Sequence, residues 1–397
     1  MQPFGHMLTA SVFAASAITG ASVMPASAMT LVYVSNAQDG EIASYALDSK
    51  TGALTSLGKT KAGKNVMPMA ISPNKKVLYV SVRSEPFTVI SYAIDPATGA
   101  LAQKSSAPLP DSMAYISTDS TGRFLFAASY CGHKISVSPI GANGLVEAPA
   151  ALVIETGRNA HAIIADRTNK FVYATNLGSG QIMQFRFDAK TGKLTPNTPP
   201  LIKARADHGP RHMRISSDNK FMYLLSELSG HVAQFAIDQS NGTLREIDSV
   251  TSVPADAGLI PGLPPVLPAP TVAPAATAAT PAPAAPKPDD RPKIWAADLQ
   301  LTPNGKFLYA TERTTSKIAL FTVAPRTGKL TYVANFPTEK QPRGISIDST
   351  SNYLIASGEK SDKLAVYKID PKTGKLSEVG KYPAGNGANW IEILDLP

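Results

Sequence analysis

The chain has 397 residues, 43% of them hydrophobic and 7% aromatic, which supplies a large core and excludes general disorder. Its formal charge is +8, but acidic and basic residues are interspersed and no dense Lys/Arg run carries aromatic residues, so no nucleic-acid partner is expected. The single cysteine, Cys131, excludes an intrachain disulfide and a cysteine-based zinc site; a buried thiol is expected.

Residues 1–28 have the pattern of a signal peptide. LTASVFAASAITGASVM (8–24) is an apolar run of small residues, and Ala26-Ser27-Ala28 supplies an A-x-A cleavage site. Residues 1–7 carry no Lys or Arg, a departure from the usual leader. The run is too short and too alanine-rich for a transmembrane helix. A mature protein beginning near Met29, periplasmic or secreted and with no membrane role beyond export, is expected.

From there the chain repeats itself. Seven apolar segments occur in order: LVYVS, VLYVS, FLFAAS, FVYAT, FMYLL, FLYAT and YLIAS. Their anchors are Tyr33, Tyr79, Phe126, Tyr173, Tyr223, Tyr309 and Ile355, spaced by 46, 47, 47, 50, 86 and 46 residues. Each is followed by a Gly-Leu or Gly-x-Leu turn: TGAL (51–54), TGAL (98–101), NGL (143–145), TGKL (191–194), NGTL (241–244), TGKL (327–330) and TGKL (373–376). The long interval holds residues 254–292, a Pro/Ala-rich stretch of 39 residues with no aromatic. Proline removes backbone donors and favours extended chain, so an exposed, disordered insertion is expected. Without it the interval is 47, and the array is regular.

Each unit reads as four short strands. In the second, MAISP (69–73), VLYVSV (77–82), TVISYAI (88–94) and LAQKSSAPL (101–109) are separated by turn formers. A period near 45 with four strands predicts an all-β, seven-bladed β-propeller over residues 29–397. The first unit lacks an innermost strand, and NWIEILDL (389–396) is a strand left over at the end. Donating it to the first blade, against Leu31 to Ser35, closes the ring without an open edge.

Superposed, the repeats put chemistry at one end of the ring. Four residues beyond each anchor stand Ala37, Arg83, Tyr130, Leu177, Glu227, Arg313 and Glu359. The entrances of the first strands contribute His161, Arg211, His212, Trp295, Asp298 and Arg343. In an antiparallel blade both sets belong to the same edge, around the central channel. A bland account is available for single members: Arg211 with Glu227, or Arg313 with Asp298, as structural pairs, and Trp295 as a channel plug. Concentration at equivalent positions favours a ligand site. His133, His208 and His231 fall outside this register and are expected at the surface.

GPRHMRIS, SELSG, WAADLQLTPNGKFLYATERT and QPRGISID resemble the bacterial propeller-type 6-phosphogluconolactonases, a seven-bladed family that also includes fungal carboxy-muconate cyclases. The likeness runs from about residue 30 to 396. It implies a lactone hydrolase with His161, Arg211, Glu227 and Arg343 as catalytic candidates, and His212, Trp295, Asp298, Arg313 and Arg83 as substrate-binding candidates. The export signal and the long insertion depart from the cytoplasmic sugar-phosphate enzyme.

Ring-ester hydrolysis needs a base for water and a donor for the oxyanion, roles open to Glu227 or His161 and to Arg211 or Arg343. No nucleophilic serine lies in a G-x-S-x-G context, and no H-E-x-x-H or carboxylate loop occurs; a metal-independent, cofactor-free enzyme is expected. Several arginines favour a lactone bearing carboxylate or phosphate. A monomer acting on a small-molecule lactone is expected; the alternatives are a non-catalytic secreted binding propeller and a muconate-lactonising cyclase.

Overall fold

The structure, a computed structural model, describes residues 1, 29–205, 208–263 and 289–396; the expected leader lies outside the described residues. Seven four-stranded antiparallel sheets are arranged as blades. The first strands of neighbouring blades lie beside one another and ring the central channel. In blades 2 to 7 these inner strands are Val66–Ile71, Met113–Thr118, Ala160–Ala165, Pro210–Ile215, Ala296–Leu301 and Pro342–Ile347. In blade 1 the inner strand is the last one of the chain, Ala388–Asp395, paired with Thr30–Asn36 from Thr30↔Asp395 to Ser35↔Trp390. Closure by the C-terminal strand is therefore as expected, and it removes the edge that an open ring would expose.

The two repeated motifs turn out to be one device. The Tyr33 hydroxyl of blade 1 donates to the carbonyl of Gly99 in blade 2, at 2.9 Å. Tyr79 does the same to Gly144, Tyr173 to Gly242, Tyr223 to Gly328 and Tyr309 to Gly374, each time one blade onward. In blade 7 the anchor is Ile355, and Tyr353 two residues earlier reaches Lys50 of blade 1 instead. Phe126 has no hydroxyl, so blade 3 lacks this bond. The glycines are obligatory: Gly99 has φ +71° and a Cβ there would lie 2.4 Å from Leu31 of the blade behind it. Each such buried bond contributes about 1 kcal/mol net and also fixes blade-to-blade spacing.

The core lies in separate clusters between neighbouring blades and includes these anchors, with Tyr33, Tyr79, Tyr173, Tyr223 and Tyr309 all nearly inaccessible. Cys131 departs from expectation. It is exposed, because it sits in the turn at 130–133 that links two strands of blade 3 rather than in a strand. His133, His208 and His231 are half-buried rather than open to solvent, and the last two stack with ring centroids 4.9 Å apart. The insertion also differs at its ends. Residues 254–263 and 289–292 are built onto blades 5 and 6, with Ile260 bridging Lys293; residues 264–288 lie outside the described residues.

Candidate active site

The entrance of each inner strand carries an irregularity that places the site. In blade 5, Pro210 pairs with Ser226 and His212 with Leu225, which leaves Arg211 as an extra, unpaired residue. Blade 4 repeats this with His161, between Ala160↔Asn176 and Ala162↔Thr175. Blade 7 repeats it with Arg343, between Pro342↔Gly358 and Gly344↔Ser357. A bulge of this kind re-aims its extra residue out of the sheet alternation. Strict alternation from Ile215 therefore does not orient Arg211; the bulge does. Three of the four catalytic candidates are the bulged residues of three blades.

The second set is fixed by the adjoining hairpin end. Arg83, Glu227, Arg313 and Glu359 each donate a backbone N–H to the residue just ahead of, or at the turn before, their blade's inner strand: Asn65, Gly209, Trp295 and Gln341. Both sets thus converge at one mouth of the channel.

Glu227 is the hub. Its Oε2 accepts Arg211 Nε at 2.8 Å and lies 2.9 Å from Arg313 Nη2. The expected pairing of Arg313 with Asp298 is not formed; Arg313 turns instead to Glu227 and to the carbonyls of Trp295 and Ala296. Burial alone would raise the Glu227 pKa, but Arg313 and Arg211 override it and hold the carboxyl below its ordinary value. Arg211 is only 1% exposed and also donates to the Ala297 carbonyl.

Arg211 Nη1 stands 3.1 Å from His212 Nε2, and His212 Nδ1 stands 2.9 Å from Asp298 Oδ1. A guanidinium can only donate, so Nε2 must accept and Nδ1 must carry the proton toward Asp298. His212 and Asp298 therefore sit behind Arg211 and orient it rather than lining the open mouth. Burial, then the Arg211 charge, keeps His212 well below the ordinary imidazole range, and it is neutral at pH 7.

His161 is also buried, with burial and then Arg211 pushing its pKa well down. Its ring packs edge-on against His212 at 5.1 Å and Tyr130 at 5.7 Å. Among the described residues its Nδ1 has no hydrogen-bond partner, an unusual state for a buried polar atom. A neutral imidazole with an unused nitrogen beside guanidinium groups has the chemistry of a proton acceptor.

Arg343 pairs with Glu359 at 3.0 Å. Arg83 is held by Ser112 Oγ and Met67 Sδ, and no carboxylate of the described residues is within ion-pair distance of it. Four guanidiniums (Arg83, Arg211, Arg313, Arg343) outnumber the carboxylates they meet, Glu227 and Glu359 in direct pairs and Asp111 near Arg83, so positive charge predominates at the mouth. Trp295 is 38% exposed, its ring centroid 3.7 Å from the Arg313 guanidinium carbon, and it lines a cleft with Glu227 and Leu228. Beneath the mouth, Tyr115, His212 and Trp390 pack ring against ring across the channel. Sequence reasoning did not place Tyr115, Trp390 or Arg214 among the site residues, although Arg214 stands out as a charge in the strand that carries Arg211; Arg214 Nη1 lies 3.3 Å from the Tyr115 hydroxyl. Among the described residues, no group of His, Cys, Asp and Glu is disposed to hold a metal, and no helix is long and apolar enough to cross a membrane.

A family model described as "Lactonase, 7-bladed beta-propeller" matches residues 31–393. The chain is 36% identical to the 6-phosphogluconolactonase of Pectobacterium carotovorum over 366 residues, covering 92% of this chain and 99% of that one. It is 37% identical to the 6-phosphogluconolactonase of Serratia proteamaculans, covering 92% and 98%. Among solved structures, the periplasmic gluconolactonase of Pseudomonas aeruginosa superposes with a TM-score of 0.79 at 23% identity, over 94% of this chain and 100% of that one; that likeness is one of fold. With the family model spanning nearly the whole propeller and relatives above one-third identity, the chain belongs to the seven-bladed β-propeller lactonase family.

Proposed function

We propose that this protein hydrolyses the ring ester of a sugar-acid lactone, with preference for a lactone that carries a carboxylate or phosphate. The observation that carries the reading is the neutral His161, whose buried Nδ1 has no hydrogen-bond partner among the described residues, in the field of Arg211, Arg343 and Arg313. His161 takes a proton from water as the oxygen attacks the lactone carbonyl. The tetrahedral oxyanion is stabilised by Arg211 or Arg343, and the ring C–O bond then breaks. The imidazolium returns its proton to the departing ring oxygen, leaving a hydroxy acid, so water is the only co-reactant. Glu227 is a poor base while two arginines neutralise it; its part is to fix both guanidiniums. Arg83 and Arg343 hold the substrate anion.

In this reading positive charge comes from arginine, and the reaction needs neither metal nor cofactor; chelator treatment leaves the rate unchanged. The leader-like residues 1–28 support export to the periplasm, the location of the Pseudomonas aeruginosa fold neighbour, and the enzyme acts as a monomer. The test is acid release above the spontaneous rate from phosphorylated, aldonic, aldaric and muconic lactones. Turnover of none of them sinks the reading and favours a binding propeller, whereas net ring closure of a muconate favours the cyclase.

A further inference from the structure

The two ends of the Pro/Ala-rich segment build a second wall beside Glu227. Gly262 N–H donates to the Leu228 carbonyl at 2.7 Å, Ile260 to Pro292, and Ile294 back to Ile260. Only glycine fits at 262, since a Cβ there would lie 2.8 Å from the Ile294 carbonyl oxygen. Thr314 Oγ1 donates to the Lys293 carbonyl at 2.6 Å. The neck of the segment is thereby fastened to the residue that follows Glu227 and to the turn that follows Arg313.

Between neck and turn is a cleft of about 390 Å³ lined by Glu227, Leu228, Leu263, Lys293, Trp295 and Thr314. Its apolar members are unusually open for their type, with Leu263 66% and Trp295 38% exposed. Arg313 lies over one face of the Trp295 ring, and the ring also lines the cleft. The cleft thus has an apolar platform with a polar rim to which Glu227, Lys293 and Thr314 contribute, the Glu227 carboxylate being held by Arg211 and Arg313. A plain alkyl chain laid here would strip water from that rim without pairing it. An amphipathic ring, with C–H groups on its face and hydroxyls at its edge, satisfies both parts.

We propose that this cleft is a subsite for a second sugar ring, so that the substrate is an aldonolactone bearing a glycosyl substituent. The inference rests on the lactonase reading above, with the lactone ring in the arginine mouth and the glycosyl ring on Trp295. Glu227 lines this cleft and also holds Arg211 and Arg313 at the mouth, which joins the two places.

The experiment compares glucono-δ-lactone with cellobiono-δ-lactone on the full chain. Wild type is expected to favour the disaccharide lactone in kcat/KM by about tenfold. That ratio falls about fivefold or more in Trp295→Ala and in Leu263→Ser, and is largely kept in Trp295→Phe. Leu263 is not a member of the Arg313–Trp295 stack, so its variant separates the subsite from the loss of that stack. Calorimetric titration with cellobionate and gluconate gives a readout independent of turnover: cellobionate binds more tightly, and Leu263→Ser removes the difference. If neither these two nor any phosphorylated, aldaric or muconic lactone is hydrolysed, the lactonase reading fails, and the titration still decides the subsite. Equal ratios in wild type and folded variants, equal binding of the two acids, or preference for an alkyl-substituted lactone such as δ-decalactone would overturn the proposal.

Discussion

His161→Phe removes the proposed proton acceptor while keeping a ring of similar size. The contacts to His212 and Tyr130 are edge-to-face, which phenyl reproduces, and the substitution sacrifices no Nδ1 hydrogen bond. Stability is expected to change by less than about 1 kcal/mol. A positioned general base contributes roughly 100- to 10,000-fold, or about 2.7–5.4 kcal/mol of barrier. The fall belongs in kcat, with KM within about threefold, because binding is assigned to the arginines. The assay is initial acid release from the best lactone of the panel, with the spontaneous rate subtracted and the melting midpoint measured alongside. Since burial and Arg211 hold His161 below the ordinary 6.5, kcat/KM stays level from pH 8 down past 6.5 and its acid limb lies lower. An anionic substrate offsets the surplus guanidinium charge, so the acid limb of kcat lies at higher pH than that of kcat/KM. A folded His161→Phe that turns over within threefold of wild type, or keeps the acid limb, refutes the assignment.

Arg211→Lys keeps a charge but not the fork that serves Glu227, His212 and Ala297 together. Two buried acceptors lose their donor, at about 1–3 kcal/mol each, so kcat is expected to fall at least about 100-fold and the melting midpoint to fall with it. Glu392 lines the far end of the channel, where burial lifts its carboxyl to about 7 against the opposing Trp390 hydrogen bond. A raised folded-state pKa favours the protonated fold, so this stabilisation is present below the unfolded value of 4.5 and is lost as pH rises to 7. Glu392→Gln should therefore gain on wild type across pH 4.5–7 in denaturant titrations and level off above it, by about 1–3 kcal/mol. Deleting residues 388–397 removes the inner strand of blade 1, and circular dichroism should then show no cooperative melt. Replacing residues 264–288 with a short Gly/Ser linker should move the midpoint by less than about 2 °C, because the Ile260–Lys293 bridge closes the neck beneath them.

The blades were legible because their spacing is set by a contact between motifs that recur in sequence. The Tyr33–Gly99 bond and its relatives require an aromatic anchor and a turn glycine at a near-constant separation, the Pro/Ala-rich interval apart, and that constraint is what the repeat records. The mouth was legible in composition for the same reason: residues at equivalent repeat positions must occupy equivalent places around the ring. What the repeat cannot record is whatever breaks the strand period. Arg211, His161 and Arg343 reach the axis through a one-residue bulge, which leaves no mark in a count of alternating residues. The partner of Arg313 was misjudged because Asp298 lies within its own blade, whereas Glu227 comes from the neighbouring blade. The ends of the Pro/Ala-rich segment followed the same logic in reverse. Their composition argued for exposure, yet hydrogen bonds from Gly262 and Ile294 fasten them beside Glu227, an outcome set by what they lie against. A propeller can carry new chemistry by this route at little structural cost. The anchors and glycines hold each blade to the next, while the one bulged residue at the channel entrance bears little of the sheet and is free to be His, Arg, Asn or Ala from blade to blade.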